Sequence, residues 1–108
     1  MYKYYHRPGY RSGELLLQFS HIKDKRKFVD SFFDTISIIN PRIVKQEDFW
    51  MNDEILLSIA SDKGDFEISI DTYDLVFILS EDTSIIHVIE SLIAANPLFA
   101  KEEKEFIP

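Results

Sequence analysis

From Glu54 to Asp71 apolar residues of this chain return at alternate positions, and no other feature of the sequence restricts the fold so tightly. In EILLSIAS, Ile55, Leu57 and Ile59 share one parity. After DKGD, Phe66, Ile68 and Ile70 do the same, while Asp65, Glu67, Ser69 and Asp71 take the other. A helix would scatter such residues around its circumference, whereas an extended strand gathers them on one side. This part of the chain is therefore read as sheet with one buried face.

The remaining elements follow from where that period holds and where it fails. GELLLQFS (13–20) reads as a strand. In residues 23–39, Phe28, Val29, Phe32, Phe33 and Ile36 make one helical stripe, stopped at Asn40-Pro41. IVKQEDF (43–49) is a polar strand expected near an edge. MND (51–53) and Thr72–Asp74 read as turns, and Asp62–Asp65 as a hairpin turn with Gly64 in a left-handed conformation. LVFIL (75–79) is apolar on both faces and is placed in the sheet interior. A second helix, capped by Asp82 or Thr83, buries Ile85, Val88, Ile89, Leu92 and Ile93 and stops at Asn96-Pro97. The expected fold is α+β, in the order β-α-β-β-β-β-α. It is a four- or five-stranded antiparallel sheet with both helices on one face and the acids of 65–71 on the other. Residues 1–13, with Pro8-Gly9 as a type II turn, read as a weakly structured arm. Residues 98–108 read as a charged tail whose Phe99, Phe106 and Ile107 pack back onto this single domain.

Charge limits the partners. The 108 residues carry a net charge of −7, unevenly spread. Residues 1–13 hold three basic residues and no acid, while residues 46–90 hold twelve acids against Lys63 alone, a net −11. Such a surface repels phosphate backbones and attracts basic proteins, so direct nucleic-acid binding is disfavoured. No cysteine is present, which removes thiolate metal sites, disulfides and cysteine nucleophiles. With no apolar leader and no membrane-length apolar run, a cytoplasmic protein away from membranes is expected.

The chemical motifs are sparse. His87 and Glu90 stand at i and i+3 on the second helix, a spacing that a metal or a solvated face explains. Asp62–Tyr73 lacks the oxygen ligands of a calcium loop. Asp71 and Asp74 bracket a turn, where aspartate serves the backbone as readily as it serves catalysis. With no nucleophile elbow and three glycines, neither a hydrolase triad nor a phosphate loop is expected. The four tyrosines of the arm, Tyr2, Tyr4, Tyr5 and Tyr10, sit among Lys3, His6, Arg7 and Arg11. They suit stacking on single-stranded nucleic acid, a cover for the core, or a basic arm on the acidic sheet. Trp50, between Asp48 and Asp53, is either a core residue or an interface anchor.

In EDFWMNDE (47–54) and DKGDFEISIDTYD (62–74), and in size and charge, the chain resembles the small acidic immunity proteins that bacteria make against toxins. The resemblance implies a non-catalytic, cofactor-free binder whose carboxylates cover the active site of a basic nuclease toxin domain. Asp48, Asp53, Glu67, Asp71 and Asp74 are the expected partner-binding carboxylates, with Trp50 as the dehydrated anchor. The alternatives are a homodimeric structural or regulatory protein joined through a sheet edge or face, a small acid-pair enzyme, and a decoy of DNA phosphates.

Overall fold

The computed structural model describes residues 2–8, 15–49, 54–71 and 73–102. Among these residues seven strands and two helices appear in the order β1 (Tyr2–Pro8), β2 (Leu15–Phe19), α1 (Lys25–Thr35), β3 (Arg42–Phe49), β4 (Glu54–Ala60), β5 (Phe66–Ile70), β6 (Val76–Ser80), α2 (Thr83–Ala94) and β7 (Phe99–Lys101), with a short 3-10 turn at Ser37–Ile39. The α+β class is as expected, but the sheet is larger and mixed: its strand order is β3-β4-β5-β6-β2-β1-β7. Six strands run antiparallel in neighbouring pairs, and β7 lies parallel to β1.

Two of the seven strands correct the expected four or five. Tyr2–Pro8 is a strand paired with β2, with Tyr4 opposite Phe19 and Tyr5 opposite Gln18. Phe99–Lys101 adds to the outside of β1, with Tyr2 N–H donating to Leu98 C=O at 2.7 Å and Glu102 N–H to Tyr4 C=O at 2.6 Å. Phe99 is buried, and this contact holds a short charged segment in the sheet. The Pro8-Gly9 turn, Phe106 and Ile107 lie outside the described residues.

The β4–β5–β6 meander keeps the parity read from the sequence. Across it, Leu57, Ile68 and Ile78 stand in one row, continued by Leu17 on β2. Ile68, Ile78 and Leu17 are wholly buried. The parallel row Ile55–Ile70–Val76–Phe19–Tyr4 lies beside it. Both helices rest on this face. Phe28 and Phe32 of α1 meet Phe19 and Phe99 with ring centroids 4.8–6.4 Å apart. Helix α2 buries Ile85, Ile86, Ile89 and Ile93, a stripe shifted from the expected one: Ile86 joins it, and Val88 and Leu92 are only partly buried against the core. Aspartates start both helices: Asp24 accepts from Lys27 N–H at 3.0 Å and Asp82 from Ser84 N–H at 2.9 Å. Asn40 closes the 3-10 turn at φ 55°, a left-handed conformation that asparagine tolerates.

Neighbouring residues on opposite faces give a direct test of this parity. Ile68→Ala should destabilise the fold by about 2–5 kcal/mol through the cavity it leaves. Glu67→Gln, one residue away on the helix-free face, should change stability by less than about 0.5 kcal/mol. Denaturant-unfolding midpoints of the two variants measure both.

A candidate acidic docking surface

The helix-free face is built from two cross-strand rows. One runs Glu47–Leu56–Ser69–Phe77–Gln18–Tyr5, and the next runs Lys45–Ser58–Glu67–Leu79–Leu16. Apart from Leu56 the β3–β5 half of these rows is polar or charged, and apart from Gln18 the β6–β2–β1 half is apolar or aromatic. Glu54 joins the polar half, accepting from the Ser69 hydroxyl at 2.8 Å.

At one end of this face, four acids line an open cleft of about 640 Å³: Asp65, Glu67, Glu81 and Asp82, with Val44, Ser58 and Leu79 between them. Two local devices bring its walls together. Gly64 adopts φ +138°, and its Cα faces the start of α2, so an added Cβ would sit 3.5 Å from Ile85 Cβ. Ser80 then ties the turn to the β6–α2 junction. Its hydroxyl donates to Asp65 C=O at 2.8 Å and accepts from Asp82 N–H at 3.1 Å. The hydroxyl and backbone N–H of Ser84, with the Ile85 N–H, hold the Asp82 carboxyl below the usual aspartate range. Its charge therefore persists into mild acid.

The residues singled out from the sequence separate in space. Glu67 lies in the cleft. Asp48 takes the opposite parity from Glu47, pairs with Ile55, and is exposed on the helix side of the outermost strand. The two do not share a face. Asp71 serves its turn, accepting from the N–H groups of Tyr73 at 2.8 Å and Leu75 at 3.3 Å. Asp74, at φ 60°, is gripped by Lys23 at 2.6 Å and Lys25 at 3.3 Å. Hydrogen bonds from those two lysines hold its carboxyl below the usual aspartate range. Asp71 and Asp74 thus both carry local bonds, one to its turn and one to two lysines. Trp50 and Asp53 lie outside the described residues. Asp65, Glu81 and Asp82 were not among the expected binding residues, because single-strand parity does not show that the 64–65 turn meets the 81–82 junction.

A second polar cluster fastens the first and last strands to α2. The His6 ring bonds directly to the Glu90 carboxylate, and Lys101 Nζ lies 3.8 Å from the same oxygen. Burial, and then the charge of Glu90, raises the Tyr4 phenol. Glu90 therefore turns to β1 and β7. Among the described residues no group of three or more histidines and carboxylates is placed to hold a metal. Tyr4 and Tyr5 are buried in the sheet and offer no stacking platform. No described helix is long and apolar enough to cross a membrane. No family model, curated protein or solved structure matches the chain.

The Asp74 pairing carries a pH signature. Because its folded pKa is lowered, the pairing stabilises the fold above the ordinary aspartate range and fades as acid protonates the carboxyl through its lowered value. Asp74→Asn, which keeps the left-handed backbone accessible, should lower the melting temperature at neutral pH. Melts on a descending pH series should show the gap from the parent chain closing in acid.

Proposed function

We propose that this chain is a non-catalytic protein-binding module for a basic partner, in the manner of an immunity-type inhibitor that covers the active site of a nuclease toxin domain. The observation that carries the reading is the cleft lined by Asp65, Glu67, Glu81 and Asp82. All of its lining but Val44 comes from residues 46–90, a segment of net −11 in which Lys63 is the single basic residue, while Lys45 stands in the same cross-strand row as Glu67. Lysines and arginines that hold RNA or DNA phosphates suit these carboxylates equally well. Long-range attraction raises the encounter rate, and Val44 and Leu79 supply apolar surface for the stems of the cationic side chains. Glu67 is retained from the expected binding set. Asp65, Glu81 and Asp82 extend it, and the Asp74 charge is spent on Lys23 and Lys25. Nothing in this mechanism requires a cofactor.

Affinity capture from the native cell with the parent chain and with an Asp65→Lys/Glu67→Lys variant tests the reading. The parent should retain a basic protein that elevated salt releases, and the variant should bind it at least about tenfold more weakly, a loss of about 1.4 kcal/mol. Equal capture by both chains, or retention of a small metabolite in place of a protein, overturns it.

A further inference from the structure

The two edges of the sheet are guarded very differently. On one side β7 is three residues long, Phe99–Lys101, too short to template another strand. On the other, β3 runs for eight residues, Arg42–Phe49, with β4 on its inner side and no strand outside it among the described residues. Its apolar side chains are open to water: Ile43 is 50% exposed and Val44 64% exposed, and Ile38 just before the strand is 78% exposed. A bulge between Ile43 and Lys45 and the lysine itself are ordinary guards of an edge. Three exposed aliphatic side chains within residues 38–44 work against those guards.

The order of charges on β3 selects the occupant. Arg42 and Lys45 occupy its first half, and Glu47 and Asp48 its second. Two antiparallel copies related by a two-fold axis perpendicular to the sheet must bring residues of equal parity face to face. Centring the axis on Lys45 opposes two lysines, and centring it on Glu47 opposes two glutamates. Centring it on Gln46 sets each Lys45 opposite the Glu47 of the second copy, with no like charges opposed. Within one chain Lys45 and Glu47 already lie side by side on the helix-free face, Nζ 2.6 Å from Oε1, with side chains 65% and 37% exposed. In the pair they would form an alternating square of four charges. Cross-strand opposite charges stabilise a sheet and like charges weaken it, so this register is the one that the sequence favours.

We infer that a second copy of this chain docks on β3, pairing strand with strand about a two-fold axis at Gln46 and joining the two sheets into one. The inference does not depend on the proposed basic partner. Its experiment is the concentration dependence of molecular mass, by sedimentation or light scattering, for the parent chain, Lys45→Glu, Glu47→Lys and the double exchange Lys45→Glu/Glu47→Lys. The parent should be dimeric. Each single variant crowds four like charges around the axis and should raise the dissociation constant at least about tenfold. The double exchange should restore dimer formation, and since it contains both substitutions it also shows that neither prevents folding. A parent chain monomeric at every concentration, single variants that dimerise like the parent, or a double exchange that stays monomeric each overturns the inference. So does a β3 whose amides gain protection from hydrogen exchange only when a basic protein is added, which would assign the edge to that protein.

Discussion

The governing constraint is a mismatch of widths. Seven strands at about 4.8 Å spacing make a sheet roughly 29 Å across, while two helices of about 10 Å diameter cover roughly 20 Å of it. Some of the sheet must therefore go without a lid. Burial follows that limit: Ile68, Ile78, Leu17 and Phe19 in the middle are sealed, Leu57 and Ile59 on β4 remain buried, and on β3 the helix-side Ile43 is half exposed. The α1 aromatics Phe28 and Phe32 reach from Phe66 on β5 through Phe19 on β2 to Phe99 on β7, and none of these rings is on β3. The uncovered strand is the one most distant from the aromatic cluster, and its polar sequence is what a strand without a lid tolerates.

Local bonding and strand parity explain why a segment of net −11 does not produce a uniform negative face. Carboxylates at element ends are absorbed by local work. Asp71 closes a turn, Asp74 binds two lysines and Asp62 lies 3.6 Å from Arg42. Along a strand, parity divides the rest, so Glu47 and Asp48 point to opposite sides of the sheet. What remains concentrated is the corner where the 64–65 turn is pinned to the start of α2. A local concentration of this kind gives orientation as well as attraction, because a partner can satisfy it from one direction only.

Much of the fold was legible from the sequence because it rests on period and punctuation. The strands of 54–60 and 66–70 and both helices announce themselves by spacing, and that of 76–80 by a continuous apolar run; Asn96-Pro97 follows the end of α2 closely, but α1 stops at Thr35, short of the expected 39, and only the 3-10 turn Ser37–Ile39 reaches Asn40-Pro41. The strand Tyr2–Pro8 was hidden by its chemistry. Its inward residues are Tyr2, Tyr4 and His6, which read as polar although Tyr4 is only 1% exposed. The tail strand Phe99–Lys101 is too short to show a period and exists because β1 offers it an edge. The candidate site was less legible for a related reason. Sequence parity places Glu67 on the correct face, but the meeting of residues 64–65 with 81–82 depends on Ser80 and on the positive φ of Gly64, a contact between elements that no single segment encodes.

Val44 belongs to both surfaces, lining the acidic cleft and projecting from the exposed edge. Strongly acidic copies should repel one another, so a pairing at β3 must keep the two clefts apart. It does so on geometric grounds. The β5 strands of the two copies would be separated by five strand spacings, roughly 24 Å, and an axis at Gln46 puts the two Val44 ends on opposite sides of it, about 13 Å apart along the strand direction. Screening in physiological salt acts over about 8 Å, so the Glu67 carboxylates of the two copies would interact weakly across that distance. Only the charges at the axis would meet directly, and there the sequence alternates them. The edge can therefore be self-complementary while the corner stays negative, because the sheet holds the two charge patterns several strands apart.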